Sequence, residues 1–159
     1  MKVENLMVHM SDPVILSNNT CLPPTQRLVI LMPEYPVDLA SLGHYVRELA
    51  VNHISQILIM TVVKEPFASV HMANVLRYLY AFIHDPFLHV DTRVEANTNW
   101  LKAIKTVSRP GDTFLVLSDH LVRVGLFWNQ PVSELIAKRL DMPVYILTVD
   151  KDVGKNGRV

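Results

Sequence analysis

Hydrophobic residues along this chain fall into short unbroken runs separated by stretches of helical period. Arg27–Pro33 (RLVILMP), Gln56–Val63 (QILIMTVV), Thr113–Ser118 (TFLVLS) and Val144–Val149 (VYILTV) are near-continuous apolar segments. Each is too short for a free-standing helix, and together they read as strands buried on both faces. Phe87–Glu95 differs: Leu88, Val90, Thr92 and Val94 alternate with His89, Asp91, Arg93 and Glu95. That is the period of a strand with one wet face, as expected at a sheet edge.

Between these runs the period changes. Val37–Asn52 carries Leu39, Leu42, Val46, Leu49 and Ala50 at helical spacing. Pro66 suits a helix start, and Met72, Leu76, Leu79, Tyr80 and Ile83 form one stripe before Asp85-Pro86 stops it. A short helix over Asn99–Ser108 is expected to bury Trp100, Leu101, Ile104 and Val107, and Pro131–Leu140 to turn Val132, Leu135, Ile136 and Leu140 inward. Arg109-Pro110-Gly111-Asp112 is a turn by its Pro-Gly pair. Residues 1–26 show no clear period and end in Pro23-Pro24. They read as an N-terminal extension, 27–149 as one α/β domain, and the polar residues 150–159 as a flexible tail. Five strands alternating with four helices predict a parallel sheet covered on both faces.

Composition narrows the classes. The 159 residues fit one domain, half of them hydrophobic and 19% charged, with no disordered signature. Fifteen basic residues balance fifteen acidic ones, so no global field favours nucleic acid or an anionic membrane. Cys21 is the only cysteine, which rules out an internal disulfide and a cysteine-rich metal site. Seven histidines invite a metal, yet no pair has helical i,i+4 spacing, and no metal is expected. No run approaches a membrane span, and Glu4, His9 and Asp12 interrupt the N-terminus where a signal peptide needs an apolar core. The expectation is a soluble cytoplasmic protein.

The segment Ser118–Pro131 joins an apolar strand to a helix, the junction that faces the nucleotide crevice in parallel α/β sheets. A loop that wraps phosphates needs glycines, so that backbone N–H groups can approach the anion. Here Gly125 is the only glycine, and Leu121, Val122, Phe127 and Trp128 fill much of the remainder.

The order of elements, with RLVILMP opening and MPVYILTV closing, resembles the universal stress protein family over roughly residues 27–149; its best local piece is Pro131–Val144, a helix leading into a Pro-Val strand. The resemblance implies a flavodoxin-like, Rossmann-like three-layer sandwich with a five-stranded parallel sheet in the order 3-2-1-4-5. It also implies frequent homodimers and a division between ATP-binding and non-binding members. In binding members it implies a strand-end Asp, a G-x-x-G pattern and, after about nine residues, G-S or G-T. The loop positions fall here near Ser118, Leu121, Gln130 and Pro131, and Tyr35 falls at the Asp with Glu34 beside it; none matches. Leucine in place of glycine at positive φ costs roughly 1–2 kcal/mol. Pro131 also removes an N–H donor from the helix's first turn.

Candidate chemistry is sparse. Ser118, Asp119 and His120 end the fourth strand at the expected crevice, but neighbours on an extended segment point to opposite sides, so Ser118 and Asp119 do not converge on one atom. A polar strand end is the plainer reading. Glu34, Tyr35 and Val62 complete a candidate ligand crevice with these three, Glu34 accepting hydrogen bonds and Tyr35 stacking on a ring. Phe127 and Trp128 read as a plug in the vacated nucleotide site or as an anchor for a partner. The expected function is a non-catalytic regulatory or interaction protein of the universal stress type, with no cofactor and no ATP. The alternative is a small-ligand or nucleotide-binding signalling module using the same crevice. Assembly follows from the sheet edges. The fifth strand, with Val144, Tyr145, Ile146 and Leu147, carries no charge and is expected either to pair with its copy in a homodimer or to be covered by residues 1–26.

Overall fold

The computed structural model describes residues 12–15, 25–32, 39–64, 66–83, 86, 88–96, 98–117, 121–123 and 129–147. Its strands are β1 (Val14–Ile15), β2 (Thr25–Leu31), β3 (Ile54–Val63), β4 (His89–Ala96), β5 (Asp112–Leu117), β6 (Leu121–Arg123), β7 (Asn129–Pro131) and β8 (Val144–Leu147). Its helices are α1 (Leu39–His53), α2 (Pro66–Ile83), α3 (Trp100–Val107) and α4 (Val132–Arg139). Six strands form one parallel sheet in the order β1-β8-β5-β2-β3-β4, and β6 and β7 form a separate antiparallel pair. Helices flank both faces, giving the three-layer, flavodoxin-like α/β arrangement.

Alternation along the central strands explains the layering. Leu28, Ile30 and Met32 of the first central strand, with Ile57, Ile59, Leu115 and Leu117, meet Leu42, Val46, Leu76, Leu79 and Ile83 of α1 and α2. Val29, Leu31, Leu58, Met60, Phe114 and Val116 point the other way, toward Trp100, Ala103, Ile104 and Val107 of α3 and Val132 and Ile136 of α4. Period-two side chains on an apolar strand thus feed two cores at once. In α3 the buried face is 100, 103, 104 and 107, the i, i+3, i+4, i+7 stripe. Leu101 lies off that stripe and is half-buried, not inward as its apolarity predicts. Asn99 caps this helix, its Oδ1 accepting the Lys102 N–H at 2.8 Å.

Two expectations about the sheet are corrected. The sheet has six strands, because Val14–Ile15 adds a strand. That strand lies beside β8, with Val14 opposite Tyr145 and Ile15 opposite Ile146. The fifth strand of the expected order is therefore no edge along those residues. Its uncharged backbone is covered by the chain's own N-terminal region, the competing cover. The remaining order, β4-β3-β2-β5-β8, is the 3-2-1-4-5 arrangement.

The amino ends of the central strands carry a buried ion pair. Arg27 stands opposite Asp112 in the β2–β5 register. Its Nε donates to Asp112 Oδ1 at 3.0 Å, and its Nη2 donates to Asp112 Oδ2 and to the Val107 carbonyl, each at 2.6 Å. Asp112 Oδ2 also accepts the Arg109 N–H at 2.8 Å, inside a turn closed by Asp112 N–H on the Arg109 carbonyl. Pro110 followed by Gly111 at φ 88° makes this a type II turn, a position whose backbone favours glycine.

Two predictions follow from these contacts. Asp112→Ala leaves the Arg27 guanidinium buried without its carboxylate and should cost about 3–5 kcal/mol in urea unfolding. A loss below about 1 kcal/mol would show that the pair is solvated in practice. Tyr145 packs against the core, and burial raises its pKa above the ordinary 10.0; Tyr45 of α1 is raised by burial first and by Glu48 second. A raised phenol pKa means that the unfolded chain releases its proton first. The stability from these neutral phenols is complete below pH 10 and is lost as pH rises through the folded-state values. Tyr45→Phe with Tyr145→Phe should flatten the alkaline fall in denaturation midpoint; an unchanged slope would remove both groups as its cause.

Candidate functional site

The crevice of this fold is set by connectivity. β2 leads to α1 on one face of the sheet, whereas its neighbour β5 leads to α4 on the other. Where successive connections part in this way, the carboxyl ends of the strands leave a cleft, the usual ligand position in open α/β sheets. Met32 and Leu117 mark the two rims, and both are buried. The Met32 N–H continues the ladder to the Met60 carbonyl at 2.9 Å, and the Met32 carbonyl accepts Thr61 Oγ1 at 2.8 Å. Thr61 is fully buried, so its hydroxyl serves the backbone of β2.

On the β5 side a short antiparallel strand pair lies in the stretch where a phosphate loop would run. β6 pairs with β7 through Leu121↔Pro131, Val122↔Gln130 and Arg123↔Asn129. Val122 packs against the core shared by α3 and α4. Pro131 then begins α4 and makes no side-chain capping bond. The first helical residues, Val132 and Ser133, are 0% and 1% exposed. Helix N-termini bind anions through open N–H groups. Here those first two residues are buried, while Glu134 of the same turn is half-exposed and lies 3.8 Å from Lys138 Nζ.

Among the candidate crevice residues, Val62 is described, and it is buried in the cluster that holds Leu58, Met60 and Trp100. Its side chain serves packing. Glu34, Tyr35, Ser118, Asp119 and His120 lie outside the described residues, as do Gly125, Phe127 and Trp128. Of the candidate interface residues, Val144 is buried and Tyr145, Ile146 and Leu147 are half-buried, with Tyr145 and Ile146 paired to β1.

A polar groove of about 370 Å³ lies at the opposite, amino-terminal end of the sheet. Arg27, Asp91, Arg93, Ser108 and Arg109 line it, together with Leu58 and the end of α3. The sequence pattern held one signal for it: Arg27 and Asp112 are charged residues opening otherwise apolar strands. Their pairing across 85 positions of chain was not readable from spacing.

Among the described residues, no group of three histidine, cysteine, aspartate or glutamate side chains could hold a metal ion. No described helix is long and apolar enough to cross a membrane. No family model matches this chain, and no curated protein matches it.

Proposed function

We propose that this chain is a non-catalytic regulatory or interaction protein of the universal stress type that has lost the ATP-binding glycine loop. The observation that carries the reading is the burial of Val132 and Ser133 at the start of α4, directly after β7. A triphosphate at this crevice would need the N–H groups of that first turn and a glycine loop around its oxygens. Here proline supplies no N–H at position 131, the first two helical residues are buried, and the first turn also carries the carboxylate of Glu134, which repels an anion. With the anion site filled by the chain itself, the crevice serves as scaffold, and function moves to the outer surface.

Calorimetric titration of the purified protein with Mg-ATP tests this. No saturable heat is expected at micromolar protein, and incubation with ATP should release no phosphate above a buffer control. A one-site isotherm in the micromolar range would overturn the proposal.

A further inference from the structure

The two sheet edges are very different. On one side, among the described residues, β1 contributes Val14 and Ile15. On the other, β4 runs from His89 to Ala96, and among the described residues no segment pairs with its outer side. A strand of this length presents a row of backbone donors and acceptors to any chain that can align with it.

The side chains of β4 restrict which chain that can be. Register places Asp91 beside Leu58, Arg93 beside Met60 and Glu95 beside Val62, so these charges share the α3 face of the sheet. They are not covered by that helix: the side chains of His89 and Asp91 are 69% and 65% exposed, and those of Arg93 and Glu95 48% and 28%. Within one strand they already pair as neighbours, His89 with Asp91 at 3.1 Å and Arg93 with Glu95 at 2.7 Å.

We propose that β4 is a self-recognition edge, where a second copy of this chain adds its own β4 in antiparallel fashion about a two-fold axis through Thr92. In that register Asp91 faces Arg93 of the second copy, His89 faces Glu95, and Val90 faces Val94 on the α2 side. Asp91 and Arg93 then have an opposite charge both along the strand and across the seam, and Glu95 faces an imidazole that can donate a hydrogen bond to it. The two-fold axis repeats each cross-strand pair.

The pattern also rejects the neighbouring registers. Directly opposed residues of an antiparallel pair share a face, so the symmetric register can shift only by moving its centre one whole residue. Centring on Asp91 sets that carboxylate against itself and His89 against Arg93. Centring on Arg93 sets that guanidinium against itself and Asp91 against Glu95. Like charges directly opposite destabilise a strand pair, so one register is favoured and both neighbours are penalised. A strand that used charge only to repel would not need alternating sign.

Sedimentation velocity at tens of micromolar, with circular dichroism to confirm folding, tests the assignment. The wild-type chain should sediment as a dimer. Asp91→Arg and Arg93→Asp each create two like-charge oppositions and should raise the dimer Kd at least about tenfold. The double variant Asp91→Arg with Arg93→Asp exchanges the charges, restores opposite pairing and should return the Kd toward wild type. Ile15→Lys, at the other edge, should leave the dimer intact. A monomeric wild type, a dimer indifferent to the single changes, or a double variant weaker than both singles would overturn the proposal.

Discussion

The bidentate contact between Arg27 and Asp112 sets the position of one central strand against its neighbour. Beyond their polar first residues, β2 (Leu28–Leu31) and β5 (Phe114–Leu117) are uniformly apolar, and these stretches are buried on both faces. Such strands lose the usual guard against slippage, because moving by one residue exchanges one apolar face for another. The ion pair restores that guard. A slip would leave Asp112 without a guanidinium and Arg27 without a carboxylate in an environment that cannot solvate either. Arg27 also donates to the last carbonyl of α3, and Asp112 accepts from the turn that follows it, so one contact aligns two strands, a helix end and a type II turn. Its role is positional more than energetic, since desolvation offsets much of the attraction in a buried pair.

Alignment at the amino ends is carried along the strands to the carboxyl ends, where the crevice lies. Once Arg27 is level with Asp112, Leu31 is level with Val116, and the rims of the cleft follow. Near that far end the Thr61 hydroxyl donates to the Met32 carbonyl, and Val132 and Ser133 at the start of α4 are buried. At the opposite, amino-terminal end the described residues form a charged, partly open groove.

Most of the architecture was legible in the sequence because each central strand is an unbroken apolar run and each helix has a clear stripe. The Pro-Gly turn was legible too, since few dipeptides specify a bend so strongly. What was not legible has identifiable causes. Val14–Ile15 is too short to show any period, and it is a strand only because β8 offers an edge to pair with. Leu101 misled because apolarity was weighed above its place on the helix. The Arg27–Asp112 pair joins residues distant in sequence, and nothing local to either announces the other. For the crevice the sequence reading was weaker still: Val62, apolar and at a strand end, could not be told from a pocket wall without knowing that Trp100 and its neighbours pack into the same cluster.

The treatment of the edges shows how a chain with balanced charge avoids uncontrolled association. With fifteen charges of each sign, overall repulsion is weak and protection must be local. At β8 the device is cover: a short parallel strand hides the pairing groups of Tyr145 and Ile146. It then offers only two residues of its own, though Ile15 remains 70% exposed. At β4 the device is a pattern, with alternating sign along one face and valines on the other. Cover excludes all comers alike, whereas a charge sequence discriminates, rejecting strands whose signs or register do not match. The longer edge thus carries the more informative surface.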